Sequence, residues 1–241
     1  MTRTLLIARR EFAAYFNSLW GYVVMAFILV VGGLLFNTRA MGDGARLSTE
    51  VLEAFFEFSF GTTVIAAVLI TMRLIAEERQ GRTQTLLDAS PISDTQLVLG
   101  KYLSAFAFLS LLIIATTYMP ALIFVNGKVS IGHIIGGYSG LILVGAAVLA
   151  IGTFGSTIGR NQLESAAISG FIVLVLILMW KLARMSAPPL SEIFANMSLF
   201  DKHFQPFQSG RIEVAAVMYY LSISFVFLSL SIRKMSLRRW K

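Results

Sequence analysis

The chain contains no cysteine, which excludes disulfide bonds, thiolate metal sites and cysteine nucleophiles. Charge is also scarce. Only 14% of the residues are charged and 56% are hydrophobic, whereas soluble domains have roughly 25% and 45–50%. With a mean hydropathy of +0.76, this composition is typical of an integral membrane protein. No segment is polar enough to form a soluble domain, so we predict one membrane domain covering residues 1–241.

Several catalytic motifs are missing as well. No Gly-x-x-x-x-Gly-Lys-Ser/Thr loop occurs, so we do not expect this chain to bind ATP phosphates itself. His-Glu-x-x-His and Gly-x-Ser-x-Gly are also absent, and the two histidines, His133 and His203, lie far apart in the sequence. We therefore predict no catalytic residue, no metal site and no cofactor in this chain. The net charge of +7 is explained by membrane orientation and needs no nucleic-acid partner.

Six apolar segments are candidates to cross a bilayer, which takes about 20 helical residues, although the fifth is short. Backbone amides find no partners in lipid, so these segments are predicted to be helices of an all-α membrane protein. Thirteen of the 20 Lys and Arg residues fall on the side of the two termini and seven on the other. This bias predicts that both termini are cytoplasmic. The predicted spans are residues 19–36, 54–72, 102–125, 134–158, 165–180 and 214–232.

An amphipathic helix is predicted before the first span. At helical spacing, one arc carries apolar side chains and the opposite arc carries cations and small polar residues, as in helices that lie in the membrane interface. The alternative is one long first span with a frayed start, and Leu6 and Ile7 do not fit the pattern. The apolar arc comprises Leu5, Ala8, Phe12, Tyr15, Phe16 and Leu19, and the opposite arc comprises Arg3, Arg10, Ala14 and Asn17.

The fourth span is rich in glycine. Gly136-x-x-x-Gly140 and Gly155-x-x-x-Gly159 match the spacing that lets membrane helices approach closely. We interpret them as helix-packing positions, with a substrate path along the same face as the alternative.

Two carboxylates lie near predicted span ends. Glu57 and Glu164 have either an end or packing role, or a role with substrate or protons, since charges in spans are costly. The segment Leu182–Ile212 is too apolar for a free loop and too interrupted for a span. We predict short interfacial or re-entrant helices there, which serve as an outer gate, a docking surface or a hydrophobic cap.

A polar insert, residues 77–93, separates the second and third spans. Thr83 is predicted to cap a short helix over 83–89, because its hydroxyl accepts from a free helix-end amide. Leu86 and Leu87 would form an apolar knob on that helix, and Pro91 would end it. Ser93 followed by Gln96 is a capping-box pattern for the next helix. The insert is either a docking surface for another protein or an ordinary solvated connection.

The insert resembles the cytoplasmic loop of ABC-2 type permeases. The start of the chain, Arg10-Glu11-Phe12 with Tyr15-Phe16 and Tyr22, is similar to that family's elbow helix. Tyr219–Ser222, Phe227-Leu228 and Arg238–Trp240 resemble the gliding-motility permease subgroup, which is close to the copper-enzyme-maturation permeases. Arg82 and Leu19 depart from the family pattern, which usually has Thr and Pro there. The loop resemblance rests on Glu77-Glu78-Arg79, Gly81, Thr83, Leu86-Leu87, Pro91-Ile92 and Gly100-Lys101-Tyr102.

The resemblance implies a permease that forms a dimer, a homodimer by expectation, and binds two cytosolic ATPase subunits, which hold ATP and Mg. The loop helix would be the coupling helix seated in the ATPase, and a membrane-anchored extracytoplasmic subunit is a further expected partner. One alternative is a mechanotransmitting subunit that acts on such a partner without transport. Another is a secondary transporter, which would need midspan charges and discontinuous helices near the membrane centre, and the sequence shows neither clearly. The implied ATPase-docking residues are Glu77, Glu78, Arg79, Gly81, Thr83, Leu86, Leu87, Pro91 and Ile92.

Overall fold

A computed structural model describes residues 3–41, 47–81, 92–126 and 130–239. These residues form helices joined by short turns, without strands. Two π-helical stretches, Phe27–Val31 and Phe36–Met41, flank α3 and continue the first span. The helices are α1 (Arg3–Phe16), α2 (Leu19–Ala26), α3 (Gly32–Leu35), α4 (Ser48–Thr71), α5 (Ala76–Gln80), α6 (Asp94–Ala115), α7 (Tyr118–Asn126), α8 (Ile131–Ile158), α9 (Gln162–Met185), α10 (Leu190–Met197), α11 (Asp201–Gln208) and α12 (Val214–Arg239).

Six helical segments of the described chain are long and apolar enough to cross a membrane, which confirms the predicted all-α, six-span architecture. They run longer than the apolar ranges read from the sequence, because helical hydrogen bonding continues past the first polar residue. One consequence concerns Glu57, which lies nine residues after the start of α4 at Ser48 and therefore not near a helix end. The six segments are Leu19–Arg39, Ser48–Glu78, Asp94–Ile123, Ile131–Ile158, Gln162–Met185 and Val214–Leu237.

Helix α8 is the centre of the bundle. It packs against α4, α6, α9, α11 and α12. Of the residues in its most apolar stretch, 67% are buried, compared with 11% for α9. Glycines make this packing close, since side chains at these positions would occupy space already filled by neighbouring helices. A Cβ atom would meet the Gly210 backbone at Gly136, Phe207 at Gly140, Ser169 at Gly155 and the Ser165 backbone at Gly159.

Contacts between the helices define two ends of the bundle. The loop end lies beside the polar insert, and the cap end lies beside the short helices α10 and α11. At the loop end, the Trp20 indole N–H donates to the Leu69 carbonyl at 3.2 Å, and Met235 of α12 belongs to one buried apolar cluster with Ile75 and Leu97. The start of the first span and the end of the last span therefore lie beside the base of the polar insert. At the cap end, the Gln208 side chain donates to the Glu53 carbonyl at 2.8 Å.

The predicted short helices of the segment Leu182–Ile212 are α10 and α11. Helix α11 buries Phe204 and Phe207 completely, and the buried Tyr220 hydroxyl donates to the Leu199 carbonyl at 2.7 Å. Both histidines lie at this cap although they are far apart in sequence. His133 Nε2 is 2.6 Å from the Gln208 carbonyl, and His203 Nε2 is 3.2 Å from the Asn196 carbonyl.

Proline accounts for a break in the third span. The ring nitrogen of Pro120 carries no hydrogen and cannot donate to the carbonyl of Thr116. Helix α6 accordingly ends at Ala115 and α7 begins at Tyr118. The Thr116 hydroxyl lies 3.2 Å from the hydroxyl of Tyr138, which ties the break to α8.

Gly159→Ala is expected to destabilise the bundle. Its Cβ atom would lie 2.7 Å from the backbone nitrogen of Ser165 and 2.8 Å from its Cα, and backbone atoms cannot rotate away. Overpacking of this kind costs about 1–3 kcal/mol, so the melting temperature of the detergent-purified chain should fall. Gly170→Ala is the matched control, because a Cβ there meets nothing within 4 Å. Equal melting temperatures for the two variants would contradict the packing argument.

Candidate functional site

The structure describes both shoulders of the polar insert. The first shoulder is α5 with Gly81, whose N–H donates to the Glu77 carbonyl at 2.9 Å. The second shoulder is Ile92 and Ser93, which lead into α6. Glu77, Glu78 and Arg79 lie on α5. Thr83, Leu86, Leu87 and Pro91 lie outside the described residues, so the short helix over 83–89 stays a prediction.

The second shoulder begins α6 with the predicted capping box, which is confirmed. The Ser93 hydroxyl accepts from the Gln96 N–H, and the Gln96 side chain accepts from the Ser93 N–H, both at 3.3 Å. Asp94 in the first turn accepts a hydrogen bond from the Ser236 hydroxyl of α12 at 3.2 Å. The start of α6 is therefore fixed both by its own cap and by the last helix.

A serine from the central helix caps the first shoulder. The buried Ser156 hydroxyl of α8 accepts from the N–H groups of Ile75 and Ala76 at 3.0 and 3.1 Å. These amides open α5, where the first N–H groups of a helix have no partner within the helix. Such a cap normally comes from the residue just before the helix. Here it comes from another helix, which attaches the loop base directly to the centre of the bundle.

Arg73 lies in the turn between α4 and α5 and interacts with two neighbours. Its guanidinium forms a two-bond ion pair with the Glu77 carboxylate, one turn further on. The same group lies 5.7 Å from the centre of the Trp20 ring, within the range of a cation–π interaction. The turn is thereby linked to the start of the first span.

A buried lysine joins three elements at the loop end. The Lys101 ammonium of α6 lies 2.8 Å from the Glu78 carboxylate of α5 and 3.5 Å from the Glu11 carboxylate of α1. Only 4% of the Lys101 side-chain surface is exposed. Arg10 adds a second cation to Glu11 at 2.6 Å. Lys101 directly precedes the predicted third span, 102–125, yet α1 covers it.

Gly100 allows α1 to cover Lys101. A Cβ atom at Gly100 would lie 2.8 Å from Ile7 and 3.0 Å from the Thr4 carbonyl. Ile7 is accordingly the buried residue of α1, whereas Leu5, placed on the predicted apolar arc, is 52% exposed. Leu19, also assigned to that arc, begins α2 instead. The arc is therefore rotated toward Ile7, which had not fitted the sequence pattern.

Helix α1 is separate from the first span, so the alternative of one long first helix is wrong. Ser18 caps α2 by accepting from the Gly21 N–H at 3.2 Å. Of the predicted elbow residues, Phe12 and Phe16 pack edge to face, with ring centres 5.3 Å apart. Tyr15 stacks on Phe108 of α6 at 4.5 Å.

The charges around Lys101 affect two titratable groups of α1. Burial alone would raise the pKa of Glu11, but Lys101 and Arg10 outweigh it and hold that pKa below its usual value. The ionised carboxylate therefore stabilises the fold at neutral pH, and this contribution is lost as the pH falls through the lowered pKa. Burial, and next the Glu11 carboxylate, raise the pKa of Tyr15, which stays a neutral phenol.

These side chains surround a charged cavity of about 280 Å³ between α1 and the α4–α5 turn. Its charged side chains are already paired: Lys101 of α6 with Glu11 of α1 and Glu78 of α5, and Arg73 with Glu77. We call this group of side chains the ion-pair junction. A displacement of α5 must move Glu78 relative to Lys101 and so acts on α6 and α1 together. The charged side chains of the lining are Glu11, Arg73, Glu77, Glu78 and Lys101, and the lining also includes Tyr15, Ser18 and Trp20.

Glu164, the other carboxylate singled out in the sequence, lies at the loop end in an end-capping position. Its N–H donates to the Asn161 side chain at 2.8 Å, and its carboxylate accepts from the Arg160 N–H at 2.9 Å. These bonds fix the tight turn between α8 and α9. The end-position interpretation of Glu164 is therefore supported by its contacts.

Lys101→Met is expected to destabilise the chain, because it leaves Glu78 and Glu11 partly buried without their shared cation. Removing one partner of a buried pair costs about 3–5 kcal/mol, and Glu78→Gln in the same chain should restore part of it. Arg73→Met is the matched control: its ion pair with Glu77 is more exposed, and exposed pairs contribute about 0–1 kcal/mol. Thermal unfolding of the purified variants measures both. Equal losses for Lys101→Met and Arg73→Met would contradict a dominant role of Lys101.

Most of the chain matches the model of a known protein family. The family model described as "ABC-2 family transporter protein" matches residues 5–232. The match begins within α1, ends within α12 and contains the whole ion-pair junction. A comparison with curated proteins found no match. The match covers most of a chain with six membrane-crossing helices, and the protein therefore belongs to the ABC-2 family of transporter proteins.

Proposed function

We propose that this chain is the permease subunit of an ABC transporter, moved by ATP hydrolysis in a separate nucleotide-binding subunit that docks on the 77–93 loop. The chain has no phosphate-binding loop of its own, so ATP and Mg would be bound by the partner. The observation that carries the proposal is the attachment of the loop base. Through Lys101, Ser156 and Asp94 it is bonded to α1, α6, α8 and α12.

Because of this attachment, a movement of the loop is transmitted to the membrane helices. Closure of two ATPase subunits on ATP would shift the equilibrium between two permease conformations, by an amount equal to the difference in binding free energy. A loop tied only to its own flanking residues would absorb such a movement. Here Glu78 and Ser156 pass it to the elbow helix and the central helix.

A second copy of the chain is expected to complete the permease, with two ATPase copies below it. The outward faces of α9 and α12 support this assembly, because Phe171 is 67% exposed and Phe225 is 72% exposed, and large apolar faces contact lipid or protein. The charge bias of the sequence favours a cytoplasmic loop end, and the family resemblance implies a bacterial inner membrane. Membership of the gliding-motility subgroup rests on the sequence resemblance alone.

A second candidate function is mechanotransmission to an extracytoplasmic partner without transport. The observation that favours it is the outward apolar side of α10 at the cap end, where Leu190, Ile193 and Met197 are each about half exposed. Such a ridge suits an auxiliary membrane-anchored subunit. ATP-driven solute accumulation in inside-out vesicles that hold only this chain and its ATPase would exclude this function.

The proposed sidedness is testable with single cysteines, since the chain has none. Gly81→Cys at the exposed loop shoulder should be protected from a membrane-impermeant maleimide in intact cells and react after permeabilisation. Glu192→Cys, on the exposed surface of α10, is the matched probe and should react in intact cells. Labelling of Gly81→Cys from outside would place the loop on the wrong side for an ATPase.

Docking on the loop is tested by Leu86→Asp and Leu87→Asp. A carboxylate on the predicted apolar knob cannot be buried in a socket without a large desolvation cost, so the ATPase should no longer copurify with the chain. The control is Leu190→Asp, the same change at the exposed cap end, which should keep the ATPase. Both sets should insert and purify as single species. Normal ATPase association of the Leu86 and Leu87 variants would disprove the docking assignment.

A further inference from the structure

A second charged cavity lies in the half of the bundle nearer the cap end. Its volume is about 410 Å³, and it opens between the end of the first span and α4. Thr38 and Arg39 form one wall, and Ala54, Glu57 and Phe58 form the other. One guanidinium and one carboxylate therefore face a shared space with an apolar floor.

The carboxylate of Glu57 has no partner within the protein as described. Neither a hydrogen bond nor an ion pair reaches it from the described residues, and no ion pair joins it to Arg39. Arg39 has another interaction, but a guanidinium carries five N–H donors and can serve a second acceptor. The cavity thus separates an acid and a base that do not neutralise each other directly.

The depth of Glu57 identifies what can reach it. Sixteen residues separate Glu57 from Arg73, which corresponds to about 24 Å at 1.5 Å per residue. The hydrocarbon core is about 30 Å thick. With Arg73 at the loop-end boundary, the Glu57 backbone lies about 6 Å inside the opposite edge of the hydrocarbon core. Side chains of a helix tilt toward its N-terminus, so the Glu57 carboxylate extends from there toward the layer where lipid headgroups join their acyl chains. A carboxylate at this depth is costly unless a cation compensates it.

The local backbone supports a binding role. Arg39 lies in the π-helical stretch Phe36–Met41, and π-helical turns are rare and frequent at functional sites. Thr38 satisfies its own hydroxyl hydrogen by donating to the Leu34 carbonyl at 2.9 Å, which leaves its oxygen available as an acceptor toward the cavity.

We propose that this cavity binds a group that carries both a phosphate and a primary ammonium, as in the headgroup of phosphatidylethanolamine. Arg39 would take the phosphate, because guanidinium and phosphate form strong charge-assisted hydrogen bonds. Glu57 would take the ammonium, whose N–H groups hydrogen-bond a carboxylate, whereas the quaternary ammonium of phosphatidylcholine has no N–H. Phe58 and Ala54 would contact the adjoining carbon chain. The inference does not depend on ATPase docking.

The test is lipid binding to the purified, delipidated full-length chain, measured by native mass spectrometry. Phosphatidylethanolamine should bind about tenfold more tightly than phosphatidylcholine with the same acyl chains, a difference of about 1.4 kcal/mol. Glu57→Gln should lower ethanolamine-lipid binding to the choline-lipid level. Arg39→Gln should weaken both lipids, since both carry the phosphate.

Glu53→Gln is the matched control. It makes the same charge change one helical turn away, at an exposed residue outside this cavity, and should leave the preference unchanged. Glu57→Asp, which keeps the carboxylate, should keep part of the preference for phosphatidylethanolamine over phosphatidylcholine. Soluble O-phosphoethanolamine distinguishes the sources: competition with the lipid means that the free group is also a ligand, and no competition means that only the lipid is. Equal binding of the two lipids to the unmodified chain, or an undiminished preference in Glu57→Gln, would overturn the proposal.

Discussion

The buried ammonium of Lys101 is the interaction on which the loop end depends. A lysine enclosed in an apolar bundle needs carboxylate partners, because an uncompensated buried charge costs several kcal/mol. Its two partners belong to different elements, Glu11 to α1 and Glu78 to α5. One cation therefore requires both the elbow helix and the loop base to be in place. Gly100, the residue before it, supplies the close approach that lets α1 cover the site.

The two ends of the bundle differ in the contacts that stabilise them. At the loop end the contacts are directional: Ser156 caps α5 and Lys101 pairs with two carboxylates. At the cap end hydrogen bonds such as that from Gln208 to the Glu53 carbonyl accompany extensive aromatic packing, with Phe60 against Phe204 at 4.9 Å, and the described residues form no buried ion pair there. Directional bonds fix a relative position and transmit a displacement, whereas apolar packing mainly excludes water and lipid. This asymmetry suits a subunit that receives movement at one end.

Local patterns in the sequence predicted much of the fold. Hydropathy predicted the six spans, and the Ser93–Gln96 capping box could be read because its members are three residues apart. The missing features join distant residues. Ser156 caps amides about 80 positions away, and Lys101 reaches back 90 positions to Glu11. A single serine or lysine carries no spacing that reveals such a partner. The burial of Ile7 was missed for the same reason, because it depends on the space that Gly100 leaves.

Lys101 and Glu57 are two charged residues within membrane spans that differ in how their charge is compensated. Both lie in helices that cross the membrane, where an ionised side chain is costly. Lys101 is enclosed and has two internal partners, so its charge is explained by the assembly of the fold. Glu57 is exposed to a cavity and has none among the described residues. No described residue compensates that carboxylate, which leaves it available to a ligand in the cavity. An opposite charge across the cavity, Arg39, then favours a ligand with both signs over a simple cation.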